Sequence, residues 1–215
     1  MAYDEHNLAP RPEDWREGYS PRGSAAADLS LSSLFRRTTL NDTSDFVDTK
    51  KRKLADPLVF SATRPGIAYD MRRSTDTTRA FGPFKPRNAS DLMQPAVTPA
   101  ATRMRLVHPR LPWYVDVRRM APQGGVTLYD VLRSLYDELD RPIASRDFFN
   151  EELGKKDRDG LTKAFKERCN MNGKEYAKAE MLKGVKRIDY LGAECVFVGL
   201  VKRNGLWEIK TERDH

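Results

Sequence analysis

The stretch VKRIDYLGAECVFVGLVKRNGLWEIKT, Val185–Thr211, decides the fold. It reads as an antiparallel meander. Val185–Leu191 is its first predicted strand and Gly192-Ala193-Glu194 a turn. Cys195–Val201 is a central strand, apolar nearly throughout, as a strand buried on both faces or paired on both edges should be. Asn204-Gly205 is the strongest short hairpin signal, because a tight hairpin turn needs the positive φ these residues tolerate. Leu206–Thr211 closes the sheet, with Leu206 and Glu208 alternating against Trp207 and Ile209.

Working back from the meander, helical periodicity takes over. Glu175–Lys183 predicts a short helix, with Gly184 in the left-handed position that ends it. A longer helix over about Lys156–Cys169 carries Leu161, Ala164, Phe165 and Cys169 as its apolar stripe, weakened by Gly160. Arg146–Leu153 predicts a third, capped by Ser145. The helix Leu128–Leu139 is the strongest: Leu128, Val131, Leu132, Leu135, Tyr136 and Leu139 share one face. Thr127 stands at its N-cap with Asp130 three residues on, where the helix dipole favours an acid. Before it, Trp113–Arg118 alternates as a strand, and Leu106–Pro112 is a lead-in blocked from helix by Pro109 and Pro112. The expected class is α+β: a small antiparallel sheet in the order strand, helices, three-stranded meander, with about three helices on one face.

The first hundred residues have a different character. Over the whole chain of 215 residues, 39% are hydrophobic and 32% charged, with a mean hydropathy of −0.68. Up to Pro99 the large apolar side chains are scattered, so they would bury too little surface to offset the entropy of ordering. Residues 1–99 are therefore expected to be a disordered or extended tail and residues 100–215 a single domain. Within the tail, Leu29, Leu31, Leu34 and Phe35 make a short amphipathic piece, too short to be stable alone. Lys50-Lys51-Arg52-Lys53 is a candidate nuclear-import run. Two arginines precede hydroxyl residues at Arg36-Arg37-Thr38-Thr39 and Arg72-Arg73-Ser74-Thr75, making Thr39 and Thr75 candidate phosphosites beside positive charge. Phe81–Pro86 is a proline-stiffened stretch with two aromatics.

The formal net charge is +7. The segment Lys155–Arg187 holds 11 basic and 5 acidic residues. Arg158, Arg168, Lys183, Lys186 and Arg187 are the candidate surface for an anionic partner. Arg158 and Arg168, on one helix, sit about 80° apart at 100° per residue, and could flank a groove with Arg187. Asp189 reads as an ion-pair partner in a strand edge near Lys186 and Arg187.

Several of these residues resemble an uncharacterised fungal domain of unknown function, abundant in mushroom-forming fungi. The matching pieces are Leu111-Pro112-Trp113, Val126, Asp130-Val131-Leu132, Leu135-Tyr136, and Arg158, Ala164 and Arg168. They continue with Lys183–Gly192, Phe197–Leu200 and Trp207-Glu208-Ile209. The resemblance covers about Ala101–Lys210 and implies a fungal, intracellular origin. It implies no activity, substrate or cofactor.

Catalytic patterns are lacking. His6 and His215 are near the ends and His108 abuts a proline. No nucleophile elbow, phosphate loop, dinucleotide fingerprint or His-Glu-x-x-His motif occurs. Cys169 and Cys195 lie in apolar segments and read as buried free thiols. The expectation is a non-catalytic protein-interaction module with an unidentified protein partner, without cofactor, metal or membrane. Nucleic acid held by the basic helices is the alternative, and an enzyme of unknown type a distant third. No N-terminal apolar leader is seen, so the expected location is intracellular, cytoplasmic or nuclear, not secreted.

Overall fold

The computed structural model describes residues 51–76, 89–149, 153–203 and 205–214. The fold is α+β, built on a five-stranded sheet. Its strands are β2 (Tyr69–Asp70), β4 (Arg103–Val107), β5 (Val115–Arg118), β6 (Val196–Arg203) and β7 (Leu206–Glu212), in the spatial order β2-β6-β7-β4-β5. A two-stranded piece pairs β1 (Lys53–Leu54) with β3 (Val97–Thr98). The described helices are α1 (Ala89–Leu92), α2 (Leu128–Leu139), α3 (Ser145–Phe148), α4 (Lys155–Asn170) and α5 (Lys174–Leu182), with 3-10 turns at Asp56–Leu58 and Arg187–Leu191.

Period-two alternation sets the sheet's inner face. Met104 pairs with Val117 and Leu106 with Val115, and all four are buried, while Arg105 pairs with Asp116 on the outer face. Leu106 stands beside Trp207 across a parallel pairing, and Leu200 opposite Ile209 across the β6–β7 hairpin. Against this face lies the apolar stripe of α2, with Leu128, Val131, Leu132, Leu135 and Leu139 in the same core. The α2 start is a capping box: the Asp130 N–H donates to Thr127 Oγ1 (3.1 Å) and the Thr127 N–H to Asp130 Oδ2 (2.8 Å). Asp130 is thereby satisfied although buried.

The helix expected over Arg146–Leu153 with Ser145 as its cap is the four-residue α3, which Ser145 opens and Asp147 caps by accepting from the Ala144 N–H (3.1 Å). Three larger expectations change as well. First, Val185–Leu191 is not a strand. Residues Arg187–Leu191 form a 3-10 turn whose five side chains are all buried. Asp189 caps it by accepting from the Lys186 N–H (2.8 Å), and Gly192 ends it at φ +63°. The alternation of charged and apolar residues there reports two kinds of buried partner, not two faces of a sheet. Second, an unexpected strand, β4, starts ahead of the lead-in and ends in its first two residues, Leu106 and Val107; it runs parallel to β7 and so makes the sheet mixed rather than purely antiparallel. Third, the fold begins well before residue 100. Leu54, Leu58, Ile67, Tyr69, Met71, Ala96 and Val97 are core residues. The segment 58–60 lies along β6, with the Phe60 N–H donating to the Leu200 carbonyl (3.2 Å). Gly199 permits this approach: at φ +140°, a Cβ there would stand 2.7 Å from the Phe60 Cα. The part of the expected tail before residue 51, with its 29–35 piece, and the 81–86 stretch lie outside the described residues.

Candidate functional site

The basic residues singled out in sequence converge, but mostly inward. Arg168, on α4, is 6% exposed. Its Nε and Nη2 donate to the two oxygens of Asp189 (2.8 and 3.0 Å), its Nη1 to Glu180 (3.1 Å), and Nη2 also to the Gly184 carbonyl (3.0 Å). Lys186, also buried, reaches Asp140 Oδ1 at 2.5 Å and Glu180 Oε2 at 3.5 Å. Arg187 pairs with Glu138 and lies 4.5 Å from the centre of the Trp113 ring, which Tyr190 meets edge-on. Lys183 also pairs with Glu180.

Glu180 is therefore the hub of an ion network linking the C-terminus of α2, α4, α5 and the 3-10 turn. Burial raises its carboxyl pKa, but Lys183 and Lys186 beside it outweigh this and hold it below the ordinary value. Burial pulls Arg187 down to about 10, which leaves it charged at neutral pH. Helix α2 has Glu138 and Asp140 at its C-terminal end and no basic residue in its last turn. Lys186 and Arg187 supply the positive charge that the dipole requires there.

Arg158 is half-buried and donates to the Leu153 carbonyl. The five candidate cations thus do not make one continuous exposed face. Next to the network is a cleft of about 280 Å³ between α4, the 3-10 turn, the 192–193 corner and Arg72. Its arginines are both engaged: Arg168 as above, and Arg72 by Asp70 (2.8 and 3.0 Å) and Asp214.

The tail signals are placed as follows. Thr39 and Lys50 lie outside the described residues. Lys51 is exposed, Arg52 donates to the Pro99 and Ala100 carbonyls, and Lys53 opens β1. Thr75 is 7% exposed and its hydroxyl makes no hydrogen bond. Arg72 and Arg73 ahead of it are both bound to Asp70, so a kinase could read this site only on a released segment.

His108 is buried, its Nδ1 accepting from the Arg110 N–H (3.1 Å) and its Nε2 meeting Thr211 Oγ1 (3.2 Å). Desolvation lowers its pKa to about 4, so it is a neutral structural histidine. Cys169 and Cys195 are free and buried; burial raises both thiols, Cys195 to about 11. Among the described residues no group of three or more His, Cys, Asp or Glu side chains could hold a metal ion, and no helix is long and apolar enough to cross a membrane.

Sequence reasoning passed over the outward side of α5. Ala177 is the only buried residue of this helix. Lys174, Lys178, Met181 and Leu182, at i, i+4, i+7 and i+8, share one side. Leu182 is 83% exposed and Met181 45%. The signal was present: two apolar residues next to each other close a helix that spends its few other apolar positions elsewhere.

No curated protein and no solved structure matches the chain. The family match spans residues 67–208, starting N-terminal to the resemblance seen in sequence and taking in β2 and β3. The chain belongs to the family of unknown function DUF6699.

Proposed function

We propose that this protein is a non-catalytic protein-interaction module whose contact surface is the outward side of α5. The observation that carries this reading is the exposure of Leu182 and Met181 on a helix held to the body through Ala177 and the Glu180 ion pairs. At 100° per residue Leu182 stands about 140° round from Ala177, clear of the anchored side, with half-exposed Met181 about 40° from Ala177 at its margin. Of the cations singled out in sequence as an anionic-partner surface, Arg168, Lys186 and Arg187 are instead paired internally. His108 is buried, with both ring nitrogens taken up inside the fold by the Thr211 hydroxyl and the Arg110 N–H. The reading includes nuclear delivery through Lys50–Lys53, since the Lys53 side chain is 82% exposed although its backbone is paired.

A photo-crosslinking residue placed at Leu182, with a control at exposed Arg118, tests the contact surface. The expected result is an adduct to a partner identified by mass spectrometry, formed from position 182 only and lost on Met181→Ser. Equal adducts from both positions, or none from position 182, would remove the reading. Loss of nuclear accumulation of a fluorescent fusion on Lys51→Ser/Lys53→Ser would support the import run.

A further inference from the structure

We infer that the segment docked on α5 is acidic and carries apolar side chains; this rests on the interaction reading above. The inference comes from what remains of the basic run once the internal pairs are removed. Lys155, Lys156, Lys166, Lys174 and Lys178 are exposed, and none has a carboxylate within ion-pair distance among the described residues. Lys163 is 3.8 Å from Glu167, and Lys183 is committed to Glu180. Helices α4 and α5 are joined by a three-residue link and pack on each other, so these lysines decorate one helical hairpin.

On α5 the lysines and the apolar residues occupy one stripe. Lys174 and Lys178 lie between the directions of Met181 and Leu182, by 100° per residue. Glu175 stands at the outer edge, in line with Leu182, and is the acidic exception on that side. A second copy of this chain fits poorly, because it would bring the same lysines face to face. A nucleic acid would satisfy the lysines and leave Leu182 and Met181 uncovered. An acidic amphipathic segment satisfies both, laying apolar side chains on Met181 and Leu182 and carboxylates beside Lys174 and Lys178.

The test uses the full chain and three synthetic helical peptides of equal length: Glu/Leu, Lys/Leu and Glu/Ser. Backbone amide shifts are followed by NMR. The Glu/Leu peptide is expected to shift amides within Lys174–Leu182 and to bind several-fold more weakly to Lys178→Glu, the scale of one exposed ion pair. Added salt should weaken it in the same direction. Should Lys178→Glu prove misfolded by circular dichroism, Leu182→Ser serves as the second variant, with the same expected loss. Equal binding of Lys/Leu would overturn the acidic partner and leave apolar docking standing. Equal binding of Glu/Ser, displacement of the peptide by single-stranded nucleic acid, or no binding of Glu/Leu would each overturn the inference. In that last case the crosslink from position 182 decides separately whether α5 is a contact surface at all.

Discussion

Two parts of one basic run meet opposite fates. Arg168, Lys186 and Arg187 are buried and each is matched by a carboxylate, whereas Lys174 and Lys178 face solvent beside Met181 and Leu182. Composition does not separate the two sets; partners do. The inward set fastens α4, α5 and the 3-10 turn to the end of α2. It thereby leaves α5 with little need to bury apolar residues of its own. The outward set is what a partner would meet. A dense cationic segment can thus be structural through some of its cations while others, interleaved with them, stay exposed without an internal carboxylate.

The sharpest way to break this comparison is to remove one member of the inward set. Asp189→Ala removes both carboxylate oxygens from the buried Arg168 guanidinium, which keeps Glu180 and the Gly184 carbonyl, and deletes the cap on the Lys186 N–H; it should cost about 3 kcal/mol in urea unfolding. A loss no greater than that of a surface substitution would place Arg168 with the outward set.

Acid separates a buried neutral group from the buried ions. His108 has a folded pKa of about 4 against an ordinary 6.5, so the unfolded chain binds its proton first. Stability should be complete above about pH 6.5 and decline as pH falls toward 4, by on the order of 3 kcal/mol at the limit. Glu180 and Glu208, both held below the ordinary carboxylate value, add their losses only below about pH 4.5. His108→Gln should flatten the upper window in denaturant melts recorded across this range. A variant as acid-sensitive as the parent there would show that another group carries the effect.

Smaller again is the uncharged fastening of α2. Thr127→Ala removes the cap to the Asp130 N–H and should cost about 1 kcal/mol in thermal or urea unfolding. At the bottom is Lys178→Glu, which touches only the outward set. Its stability should stay within about 0.5 kcal/mol of the parent, while peptide binding falls.

How much of this was readable in advance depended on the distance to the deciding partner. Helix α2 was read to its end residues because its cap and its apolar stripe lie in the segment or directly beside it. The β6–β7 hairpin was legible for the same reason, from an apolar run, the Asn204-Gly205 signal and the alternation of Leu206–Thr211. The 187–191 turn was not, because its alternation mimics a strand and its partners are elsewhere. Arg187 finds Glu138 49 residues back and Lys186 finds Asp140 46 residues back. The segment 51–76 escaped because strands of two residues have no period to detect. Leu58, Tyr69 and Met71 are buried by the edge of β6 and not by a pattern of their own. At the candidate site, the choice of basic residues found the network but mistook its direction, since Glu180 became a hub only when α5 folded over α4.

The most direct measurement is a double-mutant cycle on Arg168 and Asp189 in urea, using Arg168→Met, Asp189→Leu and the pair. An inward clamp predicts that each single variant is strongly destabilised. The double should recover much of the loss, because an apolar pair leaves no unmatched charge, giving a coupling of roughly 2–3 kcal/mol. Additive effects within about 0.5 kcal/mol would contradict it, and would return Arg168 to the surface available for a partner.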